Sequence, residues 1–236
     1  EPAELRTLPI MEGLQILFED NHLLVVNKPA GVLVQGDKTG DTPLVEMGKR
    51  YIKEKYDKPG AVFLGVVHRL DRPVSGATVL ARTSKALSRM NRLFQSREVE
   101  KKYWAVSHTV PPAPEGKLVH WLEKDSRRNV TQAYQQERAG AKRAELDYRM
   151  LAQKLGMCLL EVHPLTGRPH QIRVQLAAMG CPIAGDLKYG FPDAHPDQNI
   201  SLHARQLSFI HPVRKEPLVI EAPLPEKAYW LNFKRE

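Results

Sequence analysis

Short apolar runs separated by polar, turn-forming segments extend along most of the chain. Two of these runs lie on either side of Glu19, Asp20 and Asn21, and this arrangement predicts a β-hairpin near the N-terminus. From residue 144 to residue 150, apolar and charged residues alternate with a period of two, which is the clearest strand pattern in the sequence. Further strands are predicted at residues 62–67, 77–81, 99–107, 159–162, 202–210 and 218–220.

Helical spacing of apolar residues, with capping residues at the start, predicts three helices. Thr42 followed by Pro43 indicates the N-terminus of a helix that ends near residues 58–60, and Thr83 indicates the N-cap of a second helix. A third helix is predicted over residues 169–179. Because the strands and helices show no regular βαβ alternation, the sequence predicts an α+β fold, a single domain with a central mixed, largely antiparallel sheet flanked by helices and loops.

The composition is that of a basic globular protein. With 42% hydrophobic and 26% charged residues, the chain of 236 residues is excluded from the disordered and fibrous classes. Its 35 Lys and Arg residues against 27 Asp and Glu residues give a net charge of +8. A positive potential attracts polyanions, so nucleic acid is the first candidate partner. The alternative is a solvated basic surface that binds no partner.

Nothing in the sequence predicts a membrane segment or export. The apolar runs are far shorter than the roughly 20 residues of a spanning helix, and the first residues lack the apolar core of a secretory signal. Cys158 and Cys181 are far apart and outside any C-x-x-C pattern, which is typical of reduced structural thiols. We therefore expect a cytoplasmic protein without a membrane partner.

The densest group of charged side chains lies between two predicted strands, from His68 to Arg72. Within it, Asp71 lies between Arg69 and Arg72. Neighbouring guanidinium groups favour the ionised carboxylate, a form that suits a nucleophile or an electrostatic stabiliser better than a general acid. The same residues are also compatible with a surface salt-bridge cluster that only fixes a turn.

A second polar group begins the third predicted helix, and it contains Arg168, His170, Gln171 and Arg173. The N-terminus of a helix attracts anions, so a phosphate or the carboxylate of Asp71 is expected to fit there. The alternative is that these side chains only cap and solvate the helix.

Basic and aromatic residues occur together in one further segment, where Tyr103 and Trp104 follow Lys101 and Lys102. Nucleic-acid binding by stacking requires this combination, but buried strand aromatics produce the same pattern. Metal chemistry is not indicated, because none of the nine histidines belongs to an H-E-x-x-H motif or to a zinc-type Cys and His spacing. Walker A, G-x-G-x-x-G and G-x-S-x-G sequences are absent as well. Metal, standard nucleotide-cofactor and serine-hydrolase functions therefore lose support.

Residues 67–77 (VHRLDRPVSGA) and residues 167–174 (GRPHQIRV) resemble the two signature motifs of the RluA-type family of RNA pseudouridine synthases. Further segments resemble that family in the same order along the chain, namely residues 16–31, 101–105, 185–190 and 202–205. The resemblance covers about residues 14–225. It implies a pseudouridine-synthase-like catalytic domain at residues 14–236, after an N-terminal extension of residues 1–13.

The resemblance also implies an activity. Enzymes of this family detach the uracil of a uridine in RNA from its ribose at N1, turn the base and rejoin it through C5, without a metal or a cofactor. By position in the motifs, Asp71 is the catalytic aspartate, and Arg173 is the basic residue that pairs with it. Tyr103 matches the tyrosine that packs against the target base. Whether the aspartate attacks the sugar, attacks the base or removes a sugar proton stays open.

The same motifs supply candidate RNA-binding residues. Arg69 matches an arginine associated with displacing the target nucleotide, a step that is needed because the base must leave its stack. The other candidates from the two motifs are His68, Arg72, Arg168, His170 and Gln171.

Two positions depart from the family pattern, which usually has Thr where Val74 lies and Thr or Ser where Pro169 lies. Each change puts one hydrogen bond in doubt. Many relatives also carry a small S4 RNA-binding domain before the catalytic domain, and the residues before Ile16 leave no room for one. RNA contact is therefore expected from the catalytic domain, with the helix at residues 84–97 and these basic residues as candidates: Lys124, Arg127, Arg128, Lys142 and Arg143.

Two other functions stay open. One is a non-catalytic RNA-binding module on the same fold, whose effect on RNA does not depend on Asp71. The other is a glycosidase that uses one carboxylate and releases free uracil. Ribosomal RNA and transfer RNA are both candidate substrates, because RNA recognition depends on shape and loop contacts that no motif here encodes. The sequence does not specify the oligomeric state.

Overall fold

A mixed sheet of eleven strands organises residues 14–233, which are the residues that the computed structural model describes. The strands are β1 (Gln15–Glu19), β2 (Leu23–Lys28), β3 (Gly65–Val66), β4 (Ser75–Ala81), β5 (Glu100–Ser107), β6 (Glu115–Asp125), β7 (Val130–Tyr134), β8 (Lys142–Lys154), β9 (Met157–Pro164), β10 (Leu202–Ile210) and β11 (Pro217–Glu221). The α-helices are α1 (Leu44–Lys55), α2 (Ser84–Gln95), α3 (Gln171–Ala178) and α4 (Ala228–Leu231), and a 3-10 helix covers Leu187–Tyr189. The predicted N-terminal extension, residues 1–13, lies outside the described residues.

The strand pairs within this range are antiparallel with one exception. The order along the sheet is β1-β2-β4-β10-β5-β9-β8-β6-β7, with β3 paired to β4 and β11 paired to β10. The exception is the parallel pair of β4 and β10. The observed architecture is therefore the α+β fold with a central mixed, largely antiparallel sheet that the sequence predicts.

The parallel contact between β4 and β10 requires a glycine. Gly76 has a φ of +120°, and a Cβ atom at this position would lie 2.4 Å from the carbonyl oxygen of Ala204. Next to it, the buried Ser75 hydroxyl and the Nδ1 atom of His203 are 2.8 Å apart. This junction fixes the strand that directly follows the loop of residues 67–74.

Apolar side chains cover both faces of the sheet at β2 and β4. Because successive side chains of a strand point to opposite faces, Leu24 and Leu80 pack in one core together with residues of α1 and α3. Val25 and Val79 pack in a second core together with residues of α2. Burial on both faces explains the uninterrupted apolar run of β2.

Most of the predicted elements are present with shifted ends. The N-terminal hairpin consists of β1 and β2, and the Thr83 hydroxyl caps α2 by accepting a hydrogen bond from the Ala86 backbone N–H over 3.1 Å. Helix α1 has Pro43 rather than Thr42 as its N-cap. The strand predicted at residues 62–67 is reduced to the two residues of β3.

The hairpin of β6 and β7 has no counterpart among the predicted elements. Its side chains are mostly half-buried or exposed, and only His120, Leu122 and Thr131 are buried. A strand whose faces are both partly solvated shows little alternation of apolar and polar residues, so its sequence does not predict it.

Candidate active site

The two sequence motifs meet at one ion pair. Asp71 lies in the loop between β3 and β4, and Arg173 lies in the first turn of α3. The Nη1 atom of Arg173 donates to Oδ2 of Asp71 over 3.1 Å. The Asp71 side chain is 30% exposed and the Arg173 side chain is 6% exposed. The carboxylate is therefore the member of the pair that a ligand can reach.

A second carboxylate fixes the guanidinium of Arg173. Its Nε and Nη2 atoms donate to the two oxygens of Asp186 over 2.7 and 2.8 Å, and the Asp186 side chain is 1% exposed. Burial lowers the pKa of Arg173, but the bonds and charges of Asp186, followed by those of Asp71, outweigh burial and raise it. Arg173 is thus a permanent cation in a fixed bidentate geometry. The sequence interpretation gave Asp186 no role, although it lies in the segment 185–190 that carries the resemblance.

His170 faces the same carboxylate oxygen. Its Nε2 atom is 3.8 Å from Oδ2 of Asp71, and its Nδ1 atom is 2.6 Å from the Tyr189 hydroxyl. Burial lowers the pKa of His170 to about 4. The negative charge of Asp71 acts in the opposite direction, but nearby cations offset part of its effect. His170 is therefore a neutral imidazole at physiological pH.

Tyr189 connects this site with the hairpin of β6 and β7. Its ring lies 5.0 Å from the Arg173 guanidinium and meets the His170 ring edge-on at 5.7 Å. Its hydroxyl accepts a hydrogen bond from the Thr131 backbone N–H over 2.8 Å. The Thr131 hydroxyl donates to the carbonyl oxygen of Pro169 over 3.1 Å. These bonds dock β7 against the loop that carries His170.

Tyr103 lies on β5, next to Ala204 of β10 and Val162 of β9. Its side chain is partly buried and packs against the first core. Burial, and after it the negative charge of Asp71, raises the pKa of the Tyr103 phenol. The structure therefore brings the three residues predicted as catalytic, Asp71, Tyr103 and Arg173, to one site.

Lys28 is a buried cation that the sequence interpretation did not single out. Its Nζ atom donates to the carbonyl oxygens of Pro29, Val32 and Arg72 over 3.1, 2.7 and 3.2 Å. Burial lowers the pKa of Lys28 to about 7, against the opposing attraction of Asp71. A lysine at the end of an apolar strand, directly before a proline, was the available signal. Lys28 joins the Asp71 loop to the residues after β2.

Gln171 holds together the loop before α3. Its Oε1 atom accepts from the Thr166 hydroxyl over 2.8 Å and from the Arg168 backbone N–H over 3.0 Å. Its Nε2 atom donates to the carbonyl oxygen of Glu145 over 2.9 Å. The Arg168 guanidinium donates to the carbonyl oxygen of Arg143 over 3.2 Å. Both predicted RNA-binding residues thus have protein partners, and RNA contact by either stays a prediction.

His68 is held by the protein rather than by the Asp71 carboxylate. Its Nε2 atom accepts from the Val79 backbone N–H over 2.9 Å, and its ring stacks on Phe94 with centroids 4.8 Å apart. Burial, with a smaller contribution from Lys101, lowers the pKa of His68 to about 4. These contacts fix the His68 ring within the fold. Its predicted role in RNA binding stays a prediction.

Arg72 ties the Asp71 loop to the segment before α1. Its guanidinium donates to the carbonyl oxygen of Gly31 over 3.0 Å and to Oδ2 of Asp41 over 2.6 Å. Arg69 and Arg72 are both exposed to solvent, but among the described residues Arg69 has no hydrogen bond or ion pair of this kind. Of the two arginines that flank Asp71 in sequence, Arg69 therefore has the freer access to a ligand.

The two departures from the family pattern have different surroundings. Val74 is 2% exposed and packs in the first core. Pro169 is exposed and provides the carbonyl oxygen that binds Thr131. An apolar side chain therefore suits position 74, and the docking of β7 uses the carbonyl group of Pro169 rather than the missing N–H.

Among residues 14–233, no three or more His, Cys, Asp and Glu side chains are grouped so that they could hold a metal ion. No helix in this range is long and apolar enough to cross a membrane.

Comparisons with known proteins agree with the resemblance. The family model described as RNA pseudouridylate synthase matches residues 22–178. The ribosomal large subunit pseudouridine synthase C of Buchnera aphidicola is 34% identical over 227 residues, which cover 92% of this chain and 69% of that protein. The tRNA pseudouridine synthase C of Vibrio cholerae is 32% identical over 231 residues, covering 90% and 92%. The solved structure of human RNA pseudouridylate synthase domain containing 4 matches with a TM-score of 0.74 and 28% identity, covering 89% and 88%.

Proposed function

The chain belongs to the RNA pseudouridylate synthase family, and from this premise we propose that it converts uridine to pseudouridine in structured RNA, with Asp71 as the catalytic residue. In this isomerisation the bond between N1 and C1′ breaks and a bond between C5 and C1′ forms. The C5 hydrogen leaves as a proton and N1 takes one up, so atoms and charge balance without a co-reactant.

One observation carries the proposal, namely the unequal surroundings of the two Asp71 oxygens. Arg173 and His170 both face Oδ2, so neither of them engages Oδ1. A carboxylate with one oxygen fixed by a buried cation and a partly exposed side chain is suited to reach a nucleotide brought to it. It can do so as a nucleophile or as the group that removes a proton.

The target nucleotide must leave its stack before Asp71 can reach it. We assign the partly buried ring of Tyr103 to packing against the extruded uracil. The Tyr103 phenol lies close enough to Asp71 for the carboxylate charge to act on its pKa. We assign the exposed Arg69 to the displacement of the nucleotide from its stack. Both roles rest on the match to the family motifs, and the burial of the two side chains agrees with them.

We further propose that RNA phosphates bind at the tip of the hairpin of β6 and β7. Lys124 donates to the side-chain oxygen of Asn129, and Lys188 donates to the backbone oxygen of the same residue over 2.9 Å. Burial lowers the pKa of Lys124. The negative charge of Asp71 raises this pKa, and the positive charge of Lys188 lowers it further. Two ammonium groups held together near the active site attract phosphate, and the exposed Arg127 and Arg128 follow them at the tip.

The substrate class is structured RNA, with ribosomal and transfer RNA as the two candidates. The names of the relatives from Buchnera aphidicola and Vibrio cholerae support both, one for each class. The location in the cytoplasm stays a prediction from cysteine usage.

Product analysis tests the proposal. Ribosomal and transfer RNA transcripts labelled with carbon-14 in uracil are incubated separately with the protein, digested to nucleosides and separated by chromatography. The proposal predicts label in pseudouridine from at least one RNA. Label in free uracil would indicate the glycosidase instead. Unchanged uridine in both RNAs, with RNA binding intact in wild type and in Asp71→Asn, would indicate a non-catalytic module.

A further inference from the structure

Tyr189 contacts both groups that face Oδ2 of Asp71, and the proposed function gives it no role. We propose that Tyr189 is a positioning residue: its hydroxyl donates to Nδ1 of His170 and thereby holds that ring as the tautomer whose Nε2–H is directed at the Asp71 carboxylate. The effect on catalysis rests on the proposed function, whereas the tautomer can be measured without it.

The hydrogen bonds of the Tyr189 hydroxyl support this tautomer. Its oxygen accepts the Thr131 backbone N–H over 2.8 Å and lies 2.6 Å from Nδ1 of His170. A hydroxyl has one hydrogen to donate, and an unprotonated Nδ1 is an acceptor at the right distance. In the opposite tautomer, the Thr131 N–H and an Nδ1–H would both point at the Tyr189 oxygen. The hydroxyl hydrogen would then have to turn away from His170 to the side-chain oxygen of Thr131, the other polar group beside it.

The charges around His170 lead to the same assignment. The groups that act on its ring are Asp71 from the loop before β4, Arg173 from α3, Lys124 from β6 and Lys188 from the 3-10 helix. Burial and the three cations disfavour a second proton, so the ring stays neutral. A neutral ring can turn either a hydrogen or a lone pair toward the carboxylate at 3.8 Å. Only the hydrogen is attracted to a negative oxygen, and this again selects the Nε2–H form.

The consequence is a pair of unequal donors on one oxygen of Asp71. Arg173 is charged and bonded at 3.1 Å, whereas His170 is neutral and lies beyond hydrogen-bond distance at 3.8 Å. Catalytic hydrogen bonds are often long without substrate and shorten when the site is filled. We therefore expect the His170 N–H to approach Oδ2 once the nucleotide is bound, which keeps Oδ1 directed to the substrate. Through Thr131, the same hydroxyl links this orientation to the docking of β7.

The tautomer is measured by long-range proton–nitrogen NMR of the histidine rings in the uniformly nitrogen-15-labelled protein, with His170→Gln to assign the signal of His170. The proposal predicts a protonated Nε2 and an unprotonated Nδ1 that do not titrate between pH 6 and 8. Tyr189→Phe keeps the ring and removes only the hydroxyl, so a mixture of both tautomers is expected in this variant. A protonated Nδ1 in the wild type would overturn the proposal whatever the activity.

Kinetics test the catalytic consequence on whichever transcript the wild type modifies. Tyr189→Phe is expected to lower kcat about tenfold with little change in KM, because one hydrogen bond is lost while the cations proposed to bind phosphate are kept. Tyr134→Phe is the matched control, since its hydroxyl is on β7 and donates to Gln132 and Glu123 instead. Thr131→Val removes the side-chain hydroxyl, with its bond to Pro169 and its contact with the Tyr189 hydroxyl, but keeps the backbone N–H that Tyr189 accepts. The His170 tautomer is therefore expected to stay unchanged in this variant.

The outcomes separate the two proposals. Wild-type kcat in Tyr189→Phe would overturn the catalytic consequence, and an equal loss in Thr131→Val with an unchanged tautomer would assign the effect to hairpin docking instead. If the wild type forms no pseudouridine on any RNA, the proposed function fails, while the NMR spectrum still decides the tautomer.

Discussion

Two carboxylates of this protein lie among cations and hydroxyl groups, and they differ in how completely they are bonded. Glu19 is 4% exposed, and each of its oxygens has two partners. Those partners are the Tyr51 hydroxyl (2.7 Å), Lys55 (2.6 Å), the Tyr56 hydroxyl (2.6 Å) and Arg82 (3.0 Å). Asp71 is 30% exposed and has one hydrogen bond from a buried arginine, which engages only Oδ2.

The difference separates a structural charge from a reactive one. Burial alone would raise the pKa of Glu19, but the hydrogen bonds from Lys55, Tyr56 and Tyr51 outweigh it and lower the pKa. Both oxygens of Glu19 are fully occupied by protein partners. Through these bonds Glu19 joins β1 to α1 and to Arg82. Asp71 keeps an oxygen that its cation does not occupy. A carboxylate is available for chemistry where the protein fixes its orientation without saturating it.

Apart from replacement of Asp71 itself, the largest effect is expected for Arg173→Met, which removes the cation that orients Asp71. It also leaves the buried carboxylate of Asp186 without its partner. We expect the free energy of unfolding to fall by about 3–5 kcal/mol, and kcat to fall by about 10³-fold with it. Urea denaturation and single-turnover kinetics measure the two effects. Arg173→Lys keeps the charge, so its free energy of unfolding and its kcat are expected to be intermediate. Wild-type stability in Arg173→Met would contradict the account in which buried Asp186 depends on Arg173 as its partner.

Glu19→Gln tests the other half of the comparison. The amide keeps the shape but loses the charge and turns an N–H toward existing donors, so the free energy of unfolding is expected to fall by about 2–4 kcal/mol. The activity per folded molecule is expected to stay at the wild-type value. Urea denaturation and a kcat corrected for the folded fraction check this. A loss of kcat in fully folded Glu19→Gln would show that a saturated carboxylate also serves the reaction.

Lys28→Met extends the comparison to pH, because Lys28 is a buried cation at the end of β2 that donates to the Asp71 loop. Losing its bonds to three carbonyl oxygens is expected to lower the free energy of unfolding by about 2–3 kcal/mol. The pKa of Lys28 is about 7 when folded and near 10.4 when unfolded. Between these values the unfolded chain binds more protons, so wild-type stability rises with pH.

The measurement for Lys28 is urea denaturation of both proteins at pH 7 and pH 9. The stability of the wild type relative to Lys28→Met is expected to grow by about 2 kcal/mol between these pH values. A difference that is constant or shrinks with pH would mean that Lys28 keeps its proton in the fold.

The smallest effect is expected on RNA binding at the hairpin tip. Replacing Lys124 and Lys188 together by Gln removes two phosphate contacts, so the affinity for bulk transfer or ribosomal RNA is expected to fall about tenfold at low salt. The slope of log affinity against log salt is expected to decrease by about two. Lys53→Gln with Lys58→Gln removes the same charge on and after α1 and is the control. Equal effects of the two double variants would mean that only net charge matters.

The sequence predicts the parts of this protein whose pattern has a local cause. The hairpin turn at residues 19–21 and the Thr83 cap are confirmed because turn residues and N-caps act on their immediate neighbours. The two motifs at residues 67–77 and 167–174 identify Asp71 and Arg173, and the structure confirms that these two residues form an ion pair.

What the sequence does not predict depends on contacts between distant segments. Asp186 bonds Arg173 and Tyr189 bonds His170 only because the 3-10 helix packs beside α3. Lys28 looks like an ordinary residue at a strand end, and its three carbonyl partners come from two loops. His68, predicted as an RNA contact, uses its ring for β4 and Phe94 instead of facing Asp71. Spacing along the chain does not encode such contacts.

The most direct test of the central claim compares the wild type with Asp71→Asn on RNA labelled with tritium at uracil C5. The substitution keeps the shape and leaves the bidentate pair of Arg173 and Asp186 in place, so folding and RNA binding are expected to stay near wild type. The account predicts tritium release by the wild type and a loss of about 10⁴-fold or more in Asp71→Asn. Release at the wild-type rate by folded Asp71→Asn would contradict it.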